Sequence, residues 1–254
     1  MKLKAPLPVL LASLALSGCM STSSLTSLQP ERPVFPDGDL VEWVDSMHDY
    51  EDGRLRVGVQ NDAENVYLAI SSSNRTLIQQ IMAGGLTVWL NAGGDKSKEV
   101  GIKYPLGMRD VREPGAGRVG QEDGEQARND LLDQTISFYE LIFEEGKPLR
   151  RPVGSDGRVK LGASYNYGVF AAEMVLPLSN ASGAEVHVAS VDGLTFGLGI
   201  QTPDLAGMRG GGANQPSGGG ARGGTGGRPS GGQGGGGIPV FPPIDLWITV
   251  SVSQ

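Results

Sequence analysis

Apolar and polar positions alternate with a period of two along most of the chain, the spacing of strands with one face in a core. Leu55, Val57 and Val59 alternate, Asn61-Asp62-Ala63-Glu64-Asn65 turns, and Val66, Leu68 and Ile70 alternate again, which predicts a hairpin. Asn74 is placed to cap a short helix running to Met82, which Gly84-Gly85 ends. In the next strand, residues 86–91, Leu86, Val88 and Leu90 share one face and Trp89 takes the other. Asn91-Ala92-Gly93-Gly94-Asp95 turns it into residues 100–104, which Pro105 stops. A second hairpin joins residues 159–164 to 169–176 around Asn166-Tyr167-Gly168, and residues 194–200 and 244–252 read as two further strands. Residues 110–130 read as a polar loop with one helical turn near 125–132, while 136–143 fits a strand or a short helix. Many short strands with turn signals and few helices predict an all-β fold, an antiparallel β-sandwich with one or two short helices.

Two stretches break the alternation. Glycine dominates residues 207–237, where too little apolar surface is available to offset the entropy of ordering. Because a strand pattern follows it, this tract reads as a disordered loop inside one domain spanning 31–254, not a linker to a second domain. Arg209-Gly210-Gly211 and Arg222-Gly223-Gly224 have the form of RNA-binding RGG units, but the chain is acidic, with a formal charge of −7, which argues against a nucleic-acid partner.

At the other end, Lys2 and Lys4 precede an apolar run over residues 7–16, about half the ~20 residues of a membrane span. Leu16-Ser17-Gly18-Cys19 closes it and resembles the bacterial lipobox, so residues 1–18 are expected to be a signal peptide and Cys19 the site of lipidation. Losing residues 1–18 removes two lysines and leaves 19 − 28 = −9. Cys19 is the one cysteine of the chain, so an intrachain disulfide is excluded. Met20 stands where an inner-membrane retention signal places Asp, which favours the outer membrane. Residues 19–30, rich in Ser and Thr, are expected to form a flexible tether.

Several runs together resemble the family 9 carbohydrate-binding-module-like domains, of the DOMON-like kind. Asp37-Gly38-Asp39-Leu40-Val41-Glu42-Trp43 is similar to the family's D-G-x(4)-W opening, and residues 57–70, with Asn61-Asp62 before Val66-Tyr67-Leu68-Ala69-Ile70, to its N-D-x-x-x-L-Y hairpin. Leu86-Thr87-Val88-Trp89-Leu90-Asn91 with Gly101-Ile102-Lys103-Tyr104-Pro105 resembles its central strands. Ala172-Glu173-Met174-Val175-Leu176-Pro177-Leu178 resembles the later Y-E-x-x-I-P-L strand, with Ala172 in place of the tyrosine. The resemblance implies a β-sandwich whose relatives bind sugars or haem or have no known ligand.

Sugar binding of this kind uses exposed aromatic rings, on which the C–H faces of a pyranose stack. Aromatic residues make up only 6% of this chain, so few candidates exist. Trp89, Tyr104 and Trp247 are the expected ligand contacts, and Trp43 is expected to pack structurally. The carboxylates of Asp37, Asp39 and Asp45, with Asp49, Glu51 and Asp52 nearby, are a candidate calcium site. The two histidines, His48 and His187, sit in no nucleophile motif; His48 reads as a loop residue and His187 as the solvent side of a strand. With Met47, Met108 or Met174 they are the ligands a haem would use. The reading that follows is a non-catalytic, lipid-anchored sandwich binding a glycan, with a structural lipoprotein contacting another envelope protein as the alternative and a haem electron-transfer module behind both.

Overall fold

The computed structural model describes residues 23–112, 124–155, 157–179, 186–188, 195–205 and 242–253. Twelve strands in this part of the chain form two sheets, the β-sandwich that the alternation predicts. The seven-stranded sheet has the order β1 (Ser23–Thr26), β12 (Asp245–Ser251), β11 (Thr195–Gln201), β5 (Thr87–Asn91), β6 (Val100–Lys103), β7 (Phe138–Phe143) and β8 (Leu149–Pro152). The five-stranded sheet runs β2 (Met47–Tyr50), β3 (Leu55–Asn61), β4 (Asn65–Ser72), β10 (Val169–Pro177) and β9 (Lys160–Asn166). All pairings are antiparallel except β1 with β12.

The inward-pointing residues of both sheets make one apolar core. Val59, Val66, Leu68 and Leu176 of the smaller sheet face Leu90, Phe196 and Leu198 of the larger one. Helix α1 (Arg75–Gly84) adds Leu77 and Ile81 to this core, and the Asn74 side chain accepts the Leu77 N–H at 3.0 Å, the expected cap. The β9–β10 turn is equally local in origin. Tyr167 and Gly168 have φ of 53° and 79°, the pair of left-handed conformations a two-residue hairpin of matching twist requires.

Four expectations are corrected. The tether expected over 19–30 gives way at Ser23: Ser23–Thr26 is a strand, seated beside β12 in parallel register from Ser23 against Ile248 to Thr26 against Ser251. Only Leu25 of these four is buried, so backbone ladder bonds rather than an apolar face hold the strand. The helical turn expected near 125–132 is part of a longer helix, α3 (Gly124–Ser137), which leads directly into β7. His48 lies in strand β2, opposite Val57, and not in a loop. Tyr104, expected at a ligand, is 1% exposed within the core, where desolvation pushes its hydroxyl pKa up. Alternation explains it, since Ile102 points inward, Lys103 outward and Tyr104 inward again.

A short helix, α2 (Met108–Val111), follows β6, and no helix among the described residues is long and apolar enough to cross a membrane. Cys19 and the tract at 207–237 lie outside the described residues.

Candidate functional site

The three tryptophans share one structural device. Each lies against a glycine on a neighbouring strand, and each glycine leaves room that a side chain would fill. A Cβ at Gly58 would meet the Trp43 ring at 2.8 Å, one at Gly101 the Trp89 ring at 2.8 Å, and one at Gly199 the Trp247 ring at 2.8 Å. For Trp89 and Trp247, three adjacent ring atoms lie at nearly the same distance, 2.8–3.1 Å and 2.8–2.9 Å. Equal distances of that kind mean that the ring presents its face to the glycine. These two rings therefore lie over the backbone of the neighbouring strand and shield it, as aromatic side chains do over glycines in sheets.

What differs is the other side of each ring. Trp43 is 0% exposed. It is not in the inter-sheet core but on the outer face of the smaller sheet, beneath the segment at residues 36–46 that crosses that face. Two contacts bring the first and last family-like runs together: the Trp43 indole N–H donates to Glu173 Oε1 at 2.7 Å, and the Gly38 amide donates to Glu173 Oε2 at 2.7 Å. Ser164 Oγ donates to the Gly38 carbonyl at 2.8 Å, and the Pro36 carbonyl occupies the space where a Cβ of Gly162 would be. Glu173 is 1% exposed, and its pKa is pushed up to about 7. Desolvation is the main cause and the Asp37 and Glu42 carboxylates add to it, together outweighing the two hydrogen bonds. The family-like opening run is thus a strap fastened to a buried carboxylate, and Trp43 is structural as expected.

Trp89 and Trp247 remain partly exposed on the outer face of the larger sheet. Both stand opposite Gly199, Trp89 on β5 and Trp247 on β12. Each ring leans one strand towards β6, so the two are separated by two strand spacings, about 10 Å. A polar relay joins them: the Trp89 indole N–H donates to Gln201 Oε1 at 2.8 Å, Gln201 Nε2 donates to Asp245 Oδ1 at 2.7 Å, and the Trp247 indole N–H donates to the same Oδ1 at 3.2 Å. Lys98 Nζ stands 5.3 Å from the Trp89 ring centroid, a cation–π contact that covers part of that ring. Among the described residues, no cation or aromatic ring stacks on Trp247.

Of the expected contacts, the structure brings Trp89 and Trp247 together and leaves Tyr104 in the core. Gln201, Asp245 and Lys98 are additions that single-residue reasoning missed. The signal for two of them was present, since Asp245 lies two residues before Trp247 and Gln201 two after Gly199, on the same faces by alternation.

The expected calcium site does not assemble. Asp37 Oδ1 accepts the Asp39 amide at 2.8 Å in a local turn, Asp45 lies on a separate cavity, Asp49 pairs with Arg56 and Glu51 with Arg54. Among the described residues, no group of three or more His, Cys, Asp or Glu side chains is placed to hold a metal. Sequence proximity put these acids together, and strand direction separates them.

Solved structures with a similar fold include carbohydrate binding modules and a candidate carbohydrate-binding protein. A carbohydrate binding module of family 9 from Caldicellulosiruptor kristjanssonii, in complex with glucose, matches with a TM-score of 0.40 and 8% identity, over 71% of this chain and 78% of that one. The same kind of module in complex with cellotriose matches at 0.34 and 11%, over 72% and 76%. A candidate carbohydrate-binding protein from Bacteroides uniformis matches at 0.42 and 11%, over 92% of this chain and all of the other. No family model and no curated protein matches the chain.

Proposed function

We propose that this protein is a non-catalytic, lipid-anchored envelope protein that binds a glycan on the outer face of its larger sheet. The observation that carries the reading is the pair of partly exposed indole rings, Trp89 and Trp247, tied by Gln201 and Asp245. A pyranose has apolar C–H faces and a rim of hydroxyls, and it suits a surface that offers aromatic faces beside polar side chains. The spacing of about 10 Å between the rings is that of two sites along an extended saccharide, not of one ring clamped from both sides. Trp247 carries the main stacking face because Lys98 partly covers Trp89.

The test is a glycan-array screen of the full chain, followed by calorimetric titration of the strongest binder. Trp247→Ala is expected to weaken binding at least tenfold, about 1.4 kcal/mol, and Trp89→Ala by a smaller factor, with the fold of both variants intact. Binding that is insensitive to both substitutions, or no saccharide bound at all, overturns the reading. In that event the face serves an envelope protein partner, the alternative that the sequence leaves open.

Membrane attachment rests on Cys19 and the residues that precede it. Acylated there, the chain is held at the outer membrane by lipid chains whose burial contributes ~0.8 kcal/mol per methylene. Cys19→Ser is expected to abolish incorporation of a palmitate analogue and to release the protein from the membrane fraction. Undiminished label on that variant would rule lipidation at Cys19 out.

A further inference from the structure

The parallel seat of β1 beside β12 limits how far the tryptophan face can lie from an anchor at Cys19. Ser23 stands beside Ile248, the residue that follows Trp247. With strands about 4.8 Å apart and a rise of about 3.3 Å per residue, the Ser23 and Trp247 backbones are roughly 6 Å from each other. Residues 20–22 alone separate Cys19 from Ser23, and such an arm spans at most ~14 Å. Whatever course those residues take, the Trp247 backbone lies within ~20 Å of Cys19. We propose that the saccharide bound at Trp89 and Trp247 is the head group of a lipid in the same membrane that holds Cys19. This rests on the glycan reading and on acylation of Cys19.

Reach excludes distant ligands. The acyl chains of Cys19 lie in the hydrocarbon, and the headgroup layer of one leaflet takes up about 5–8 Å. Between the outer limit of the headgroups and the Trp247 backbone there remain at most roughly 12–15 Å. A glycan fixed to a structure farther from the bilayer stays out of contact, whereas a saccharide carried by a lipid of the same leaflet extends into this gap.

The form of the face then disfavours a free sugar. Trp89 and Trp247 lie flat over Gly101 and Gly199, so each ring has one face left for a ligand. Lys98 Nζ, 5.3 Å from the Trp89 centroid, takes part of one of them. What remains is a single open stacking face on Trp247, with Gln201 and Asp245 beside it to meet hydroxyls. A pyranose stacked on one side only is held weakly, because its second C–H face stays in water. Confinement offsets that weakness. When anchor and ligand share one plane, the second contact is effectively intramolecular, with an effective concentration in the millimolar range for a short arm. A site too weak to retain a free saccharide is thereby filled by one that cannot diffuse away.

The test uses the full chain carrying its lipid, reconstituted in phosphatidylcholine vesicles. The probe is the strongest di- or trisaccharide of the array screen, coupled at its reducing end to dioleoylglycerol and carrying a diazirine. Occupancy is read as the fraction of chain cross-linked on illumination, with the free saccharide as competitor. Displacing the probe is expected to take at least tenfold more free saccharide when it sits in the same vesicles as the protein than when it sits in separate ones. Inserting ~30 Gly-Ser residues after Met20 lengthens the arm without touching the sheet and should reduce that advantage at least threefold. Trp247→Ala should lose the cross-link in both arrangements. Equal displacement from shared and separate vesicles, or an advantage that the longer arm leaves unchanged, overturns the membrane-borne ligand and leaves glycan binding standing. A cross-link indifferent to Trp247→Ala overturns it too, since capture then occurs elsewhere. An array without any saccharide binder removes the glycan reading itself, a Cys19 without lipid removes the anchor, and the proposal falls with either.

Discussion

A chain ended after Gly237 is expected to lose its cooperative unfolding transition and to be recovered largely as aggregate. The truncation removes β12, which lies inside the larger sheet between β1 and β11. Ile244, Ile248 and Val250 are at most 1% exposed and Leu246 is 8% exposed. At ~1.5–3 kcal/mol for each buried aliphatic side chain, their loss amounts to roughly 6–12 kcal/mol, as large as the whole stability of a typical domain. Two unpaired strand edges are left behind, which favours association between chains. The control is deletion of residues 210–236 with a short Gly-Ser connection. Gln201 and Asp245 face each other at the ends of β11 and β12, so a short connection suffices and the melting temperature should hardly move. Equal melting temperatures for the truncated and intact chains would show that the last strand is dispensable, against the sheet order.

The second large effect belongs to the strap over the smaller sheet. Trp43→Ala should cost about 3–5 kcal/mol in denaturant melts, since it opens a cavity under residues 36–46 and takes one donor from buried Glu173. Alanine at Trp89 or Trp247, whose outer surfaces are already wet, should cost much less. Glu173 also gives the strap a pH signature. Its pKa rises from 4.5 in the unfolded chain to about 7 in the folded one, so the native state favours the protonated acid. The stabilisation is therefore complete below about pH 4.5 and is lost as the pH rises to 7, by up to about 3 kcal/mol. Glu173→Gln has no such titration, so the difference in stability between wild type and this variant should fall between those pH values and stay flat above. A difference that is constant across the range, or an alanine at Trp43 no worse than one at Trp89, would contradict the arrangement.

Much of the sandwich could be read from the chain because the strands that build the core bury alternate residues. The β3–β4 and β9–β10 hairpins, α1 and β5 follow directly from that pattern and from their turns. Edge elements do not. β8 is Leu149-Arg150-Arg151-Pro152, exposed throughout, and β1 buries only Leu25, so hydrophobic spacing has nothing to report where ladder bonds alone define a strand. Burial imposed from a distance is equally silent. Alternation turns Glu173 outward between Ala172 and Met174, and it is a segment about 130 residues earlier that covers it. At the tryptophan face, the positions of Trp89 and Trp247 were readable one by one. Their meeting across Gly199 was not, since it depends on β11 lying between β5 and β12.

The parallel pairing of β1 with β12 bears on how the molecule carries mechanical load. Three residues separate Cys19 from Ser23, an arm of at most ~14 Å when fully extended. Under the proposed lipidation at Cys19 and ligand binding, a pull between the anchor and the outer face of the larger sheet would be delivered to β1 with almost no slack. Force directed along that strand is shared by the ladder from Ser23 to Thr26 and by the bonds from the Ser27 amide and hydroxyl to the Ser251 carbonyl. Loaded in shear, these bonds must fail together, whereas a strand peeled from its end gives them up one at a time. Under that proposal, the short polar strand that hydrophobic patterning overlooks would be the mechanical coupling between anchor and sandwich.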